Sequence, residues 1–284
     1  MTTRAYEDRC PGVFRPWQAD DGAIVRLRTP GGRVTAASLR ALVTIAKTYA
    51  DGTVMLTKRA NLQLRGIRAV DGRVPAGLVA DLHEAGLLPS VTHELVRNVV
   101  SSPLTGRVGG RLDLRLVVAE LDRALCADPA LADLGGRFLF VLDDGRGDVL
   151  GRPLDLGLVA VSEREVQIRI GSRAWGPVVS AGEAPGLLAG LARRFQDVRG
   201  SWWHVDEVSV PVAEGRARDA RTEVASGPVL QGRYRQADEN ELEVVEVPGG
   251  LVTRAVAERL LGYCTAEFVV TPWRSIVVPD LQCA

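Results

Sequence analysis

Over residues 24–27 the chain alternates apolar and charged side chains, the period-two pattern of a strand with one buried face. Pro30-Gly31-Gly32 breaks that pattern, because glycine admits the positive φ of a tight turn. Thr35 follows where a hydroxyl can accept an orphan N–H at a helix start. Leu39, Leu42, Val43 and Ala46 then lie on one face at helical spacing. Asp51-Gly52 interrupts, residues 53–56 and 62–67 read as two further strands, and residues 74–85 read as a helix closed by Gly86. The pattern predicts β-α-β-β-α.

The same pattern returns near the end. P-G-G-x-V-T-x-A occurs at Pro30 to Ala37 and again at Pro248 to Ala255, and each copy runs through a helical stretch into a strand ending in Thr57 or Thr271. Such ordered self-similarity predicts a duplicated unit. The second copy has no closing helix after Leu281, and the uncovered sheet surface this implies gives the expectation of a chain cut short.

Between the copies, residues 112–126 read as a helix with Leu112, Leu116, Val117 and Leu121 along one stripe. Residues 137–142, 156–161, 166–170 and 175–179 read as strands and residues 187–195 as a helix, which predicts helices on a largely antiparallel sheet. Residues 213–227 are charged, rich in small residues and aperiodic, the composition of a linker or exposed loop. The fold class is α+β, divided as 1–88, 89–226 and 227–284.

Composition narrows the function. Lys+Arg and Asp+Glu are both 35 in 284 residues, so net charge offers no drive toward nucleic acid or a membrane surface. There is no apolar run of bilayer length and no apolar signal core, and the expected location is cytoplasmic. Cys10, Cys126, Cys264 and Cys283 are far apart, whereas a metal or cluster site usually takes two thiolates from one loop. Cys126 and Cys264 read as small buried hydrophobes, and Cys10 and Cys283 as inert. His83, His93 and His204 are too dispersed to suggest a metal triad, and Gly145-Arg146-Gly147 lacks the spacing of a phosphate loop. Trp202-Trp203-His204 reads as core aromatics before it reads as a platform for a flat ligand.

Three basic clusters stand beside predicted strands: TKRANLQLRG with Arg59, Asn61, Gln63 and Arg65; LVRNVVSSPLTG with Arg97 and Asn98; and GGRFLFVLDDGRGDV with Arg137 and Arg146. The planar guanidinium donates two parallel hydrogen bonds to a carboxylate or oxyanion. The plainer reading is that these arginines are solvated strand edges.

At these residues the chain resembles the siroheme-dependent nitrite and sulfite reductases. TKRANLQLRG is similar to their T-x-R-x-x-x-Q-x-x-G motif, and LVRNVVSSPLTG to their R-N-V segment. CPG near the start, GRFLFVLDDGRGDV and TPWRS are closer to the precorrin-3B synthase branch. The resemblance implies duplicated ferredoxin-like half-domains flanking a nitrite/sulfite reductase-like α+β domain. It places Arg59 and Arg97 at an anion above a siroheme-type tetrapyrrole, with Arg137 near them. A family lysine two residues beyond Arg137 is replaced by Leu139, which weakens an oxyanion reductase reading and suits a polycarboxylate tetrapyrrole. The implied reaction is an oxygen-dependent hydroxylation with ring-lactone formation on precorrin-3A, in aerobic cobalamin biosynthesis. The family's [4Fe-4S] cluster is held by C-x5-C and C-x3-C pairs that this sequence lacks. They are expected in a later domain or on a separate partner chain. Two alternatives to that oxidoreductase stay open here: a nitrite/sulfite reductase-like protein and a non-catalytic tetrapyrrole-binding remnant.

Overall fold

A computed structural model of the chain describes residues 9–225 and 227–281, and Cys283 lies outside them. In chain order the elements begin β1 (Trp17–Ala19), β2 (Gly22–Leu27), β3 (Arg33–Thr35), α1 (Ala36–Tyr49), β4 (Val54–Leu56), β5 (Leu62–Ile67) and α2 (Ala76–Glu84). They continue with β6 (Val99–Ser101), α3 (Arg115–Ala127), β7 (Phe140–Asp143), β8 (Leu156–Ala160), β9 (Glu165–Ile170), β10 (Ala174–Ser180) and α4 (Ala184–Val198). The last are β11 (Gly232–Arg235), β12 (Glu241–Glu246), β13 (Leu251–Val252), α5 (Arg254–Leu261), β14 (Glu267–Val270) and β15 (Ser275–Leu281). They divide into two compact units, one of residues 10–95 with 230–284 and one centred on residues 96–229. No helix among the described residues is long and apolar enough to cross a membrane.

The first unit holds both repeats. Each Pro-Gly-Gly makes the same turn, with φ 65° at Gly31 and 63° at Gly249, then 74° at Gly32 and 72° at Gly250. Each is followed by a threonine that caps a helix, Thr35 accepting from the Ser38 N–H at 2.9 Å and Thr253 from the Val256 N–H at 3.4 Å. Between turn and helix runs a short strand absent from the predicted order, and it crosses over. β3 pairs antiparallel with β14 of the second repeat, and β13 pairs antiparallel with β4 of the first. The sheets are therefore β1-β2-β5-β4-β13 and β11-β12-β15-β14-β3, each repeat lending one strand to the other. The registers match: Val252 faces Val54 as Val34 faces Phe268. The two copies are thus joined as two interlocked sheets.

One apolar cluster holds this unit together, with Leu39, Leu42 and Ile45 from α1 meeting Leu62 and Leu64 of β5 and Leu260 of α5. Full burial of each such side chain contributes roughly 1.5–3 kcal/mol.

The second unit carries a five-stranded sheet ordered β10-β9-β8-β7-β6. The expectation of a largely antiparallel sheet needs correction, since β6, β7 and β8 run parallel and only β8, β9 and β10 are antiparallel. β7 and β8 are buried at every residue, the signature of strands covered on both faces. α3 also differs from its predicted stripe: it starts at Arg115, buries Val117, Val118, Leu121 and Leu125, and leaves Leu116 66% exposed. Arg137 does not open β7, which begins at Phe140.

Residues 213–225 are largely exposed, as read from the sequence, but they are tied to the sheet. The buried Gln167 side chain donates to the Ala217 carbonyl at 2.8 Å and accepts from the Asp219 N–H at 2.8 Å. The guanidinium groups of Arg169 and Arg218 lie 5.4 and 5.1 Å from the centre of the Trp175 ring. Thr222 is fully buried. The segment reads as aperiodic because its polar residues bind the sheet one by one.

Candidate functional site

The turn between β4 and β5 presents Arg59. The Thr57 N–H donates to the Asn61 carbonyl at 2.9 Å, the Ala60 N–H donates to the Thr57 carbonyl at 3.1 Å, and Ala60 takes φ 55°. The Thr57 hydroxyl accepts from the N–H groups of Arg59 and Asn61 at 3.3 and 3.1 Å. The second repeat builds the same turn from Thr271 to Ser275, with Arg274 at φ 63° and the Thr271 hydroxyl accepting from Trp273 and Ser275 at 3.2 Å each. Arg59 and Trp273 are therefore equivalent positions, as are Asn61 and Ser275.

Asn61 is a positioning residue. It is fully buried and its Oδ1 accepts from the Thr29 N–H at 3.1 Å, while the Thr29 hydroxyl donates to the Ala60 carbonyl at 2.6 Å. Strand end and turn are thereby fixed to each other, with Arg59 half-buried at the tip.

Beside the turn, a row of residues crosses the first sheet in register: Arg26, Gln63, Met55 and Leu251. Gln63 accepts from Arg26 Nη2 at 3.1 Å and donates to Met55 Sδ at 3.6 Å. The equivalent row of the second sheet is Val244, Val277, Val269 and Arg33. Those three valines are buried. One backbone design therefore carries Arg26 and Gln63 in the first repeat where the second has Val244 and Val277.

Cys10 lies behind Arg26. Its Sγ accepts from Arg28 Nη2 at 3.2 Å and Arg26 Nη1 at 3.6 Å, and Arg28 also donates to the Pro11 carbonyl at 2.6 Å. Cys10 is thus buried, while of the two cysteines read as buried hydrophobes Cys126 is half-buried and Cys264 is exposed. Arg65 points elsewhere, forming a two-pronged pair with Asp21 in the turn between β1 and β2.

In the second unit, Arg97 precedes β6 and reaches α3, donating Nε to Asp122 Oδ1 at 2.6 Å and Nη2 to Oδ2 at 2.7 Å. Its side chain is 8% exposed. Burial works against the guanidinium charge, but Asp122 outweighs it and the pKa stays raised. Asn98 is buried and donates to the Gly136 carbonyl at 2.9 Å. Arg137 is exposed, its guanidinium 5.5 Å from the centre of the Trp203 ring.

Arg146 belongs to a loop at the C-terminal end of β7. Asp143 there accepts from the N–H groups of Gly145 and Gly147 at 2.9 Å each and Val149 at 3.2 Å. Asp144 takes the Arg146 guanidinium in a fork. Asp148 accepts from the Ser102 hydroxyl at 2.6 Å through Oδ1, while its buried Oδ2 has no hydrogen-bond partner. Burial, with Asp143 and Asp144 close by, pushes the Asp148 carboxyl up to about 7. The Ser102 bond and Arg146, 3.6 Å away, oppose that shift only in part.

The sequence reading named Arg146 of this loop and missed its acids, although Asp143, Asp144 and Asp148 stand in the same motif. It also missed Arg26, whose alternation with Val25 and Leu27 had already placed it on the polar face of β2. The described cysteines do not fit an iron–sulfur cluster: Cys10 faces two arginines, Cys126 lies near Arg97 and Asp122, and Cys264 is on the surface. The group of metal-ligating side chains found among the described residues, Asp143, Asp144 and Asp148, contains no thiolate.

Comparison with known proteins agrees with this architecture. Residues 18–71 match the nitrite/sulfite reductase ferredoxin-like half domain family. The chain is 30% identical over 189 residues to a precorrin-3B synthase of Sinorhizobium sp, covering 64% of this chain and 38% of that protein. It is 35% identical over 107 residues to a ferredoxin–nitrite reductase of Leptolyngbya laminosa, covering 37% of this chain and 20% of the other. The structure of the Mycobacterium tuberculosis NirA protein superposes with a TM-score of 0.72 at 21% identity, over 96% of this chain and 59% of that one. The chain thus spans about two fifths of the length of the precorrin-3B synthase it matches. In its half domain and its sequence relatives the chain is similar to the nitrite/sulfite reductases and to precorrin-3B synthase, and it shares the fold of the NirA protein.

Proposed function

We propose that this chain is the tetrapyrrole-handling part of an oxidoreductase of the precorrin-3B synthase type. Its substrate class would be an anionic tetrapyrrole whose acetate and propionate arms pair with arginine, on the aerobic route to cobalamin. The observation that carries this reading is the divergence of the two repeats. The same turn and the same sheet row hold Arg59, Arg26 and Gln63 in one copy, where the other has Trp273, Val244 and Val277. A guanidinium and an amide held in fixed geometry recognise carboxylates, and valines cannot. The buried Leu139 adds to this, since an apolar side chain there gives a small oxyanion no counter-charge. A bound siroheme-type group would supply the redox chemistry. Arg59 and Arg26 would meet its carboxylates, and Thr57, Asn61 and Thr29 would hold Arg59 in place. The described cysteines do not fit the [4Fe-4S] cluster. Its ligands would come from a further domain or a partner chain.

The test is titration with uroporphyrin, a tetrapyrrole ringed by acetate and propionate arms, followed by its absorption band. Arg59→Ala is expected to weaken binding by about tenfold, the worth of one charge-assisted hydrogen bond. Equal affinity in wild type and variant would refute the assignment.

A further inference from the structure

A cavity of about 770 Å³ opens beside α2, lined by residues of the first unit alone. That volume lies in the range of small-molecule sites, roughly 300–1,000 Å³. Its walls include Phe14, Val79, Ala80 and Val91, and its two polar side chains are Arg73 and His83. No carboxylate lines it. Phe14 and Val91 are 49% and 57% exposed, an apolar exposure that costs free energy unless something covers it.

The wall is built in advance. The N–H groups of Val13 and Phe14 donate to Glu94 Oε2 and Oε1 at 2.6 and 2.9 Å, which fixes the segment carrying Phe14 and engages both Glu94 oxygens. Among the described residues the Arg73 guanidinium has no ion pair and no side-chain hydrogen bond, and Asp71 in the same turn makes none with it. Its charge stands at an apolar hollow that no carboxylate lines.

We propose that this cavity binds an amphiphilic organic anion, an apolar chain or ring bearing one carboxylate or sulfonate. The apolar body would cover Phe14, Val79 and Val91, and the anionic head would take the Arg73 fork with His83 as a second donor. An uncharged apolar ligand would leave Arg73 unused, and a small inorganic anion would leave the walls wet. The combination selects a molecule with both parts.

The experiment uses the full chain with two dyes, the anionic 1-anilinonaphthalene-8-sulfonate and the neutral prodan, followed by fluorescence. Ala80→Trp fills the hollow from an exposed helix position, and Arg73→Glu reverses the charge. Circular dichroism and urea unfolding establish that each variant is folded. Wild type is expected to bind one anionic dye per chain, which decanoate displaces. Ala80→Trp should lose at least tenfold for both dyes, and Arg73→Glu about tenfold for the anionic dye alone. No binding by wild type, unchanged affinity in Ala80→Trp, or an equal effect of Arg73→Glu on both dyes would overturn the proposal. Neither variant alters Arg59 or Gln63, so uroporphyrin binding serves as an independent control.

Discussion

Gly32 of the first repeat lies directly against Val270 of the second: a Cβ at Gly32 would sit 2.1 Å from the Val270 carbonyl oxygen. Only a residue without a side chain lets the Pro-Gly-Gly turn approach β14 closely enough for β3 to join the second sheet. The strand exchange between the repeats therefore depends on this contact.

Substituting Gly32→Ala combines a positive φ of 74° with a collision against backbone. The expected loss is about 3 kcal/mol, from left-handed strain and overpacking together. Gly249→Ala has φ 63° but open space around it, so it should lose only about 1 kcal/mol. Urea unfolding of the two variants measures the difference, and similar losses would contradict the role given to Gly32.

The Asn61 side chain satisfies a buried N–H at Thr29, whereas its counterpart Ser275 shares a hydroxyl bond with Thr271 at 2.7 Å. Asn61→Ala should destabilise by about 2 kcal/mol, because the Thr29 N–H is left buried without its acceptor. Ser275→Ala should lose about 1 kcal/mol or less. Thermal unfolding reports the ranking, and the reverse order would contradict it.

Much of this was legible in the sequence. The helices, most strands and the duplication follow from local rules: Thr35 and Thr253 announce caps, and the Pro-Gly-Gly turns announce positive φ. The strand exchange was hidden, because β3 and β13 are two or three residues long and their partners lie in the other repeat. The parallel pairing of β6 with β7 was hidden because β6 is three residues long and its partner lies some forty residues on. The arginines of the candidate site could be named but not sorted. Only partners distant in sequence distinguish Arg97, bound to Asp122, or Arg65, bound to Asp21, from Arg26 on the polar row. Leu116 misled because an apolar residue at nearly the right spacing still faces solvent.

Arg97 and Asp122 form a bidentate pair with side chains 8% and 24% exposed. Arg97→Ala should destabilise the chain by about 3 kcal/mol, the low end for breaking a buried pair, because Asp122 keeps some contact with water. Asp122→Ala strands the guanidinium instead, and added sulfate should recover part of its lost stability. Thermal unfolding with and without sulfate reads both effects. A neutral Arg97→Ala would show that the pair does not hold β6 to α3.

Asp148 titrates near 7 in the folded chain, far above the ordinary 3.8. A raised carboxyl pKa means that the folded state holds the proton more tightly than the unfolded state. Its contribution to stability is then full below 3.8 and is lost as pH rises through about 7. Ser102, Asp143, Asp144, Arg146 and Arg152 are the groups that act on it. Asp148→Asn removes the titration, so its stability relative to wild type should rise by about 2 kcal/mol from pH 5 to pH 8. Denaturant unfolding at the two pH values checks this, and parallel curves would show that the carboxyl titrates normally.

The division of labour between the repeats is tested most directly by hydrogen–deuterium exchange with and without uroporphyrin. The account predicts slower exchange in peptides covering residues 57–65, around Arg59 and Gln63, with residues 271–277 unchanged. Equal protection of the two turns, or protection of the second alone, would contradict it.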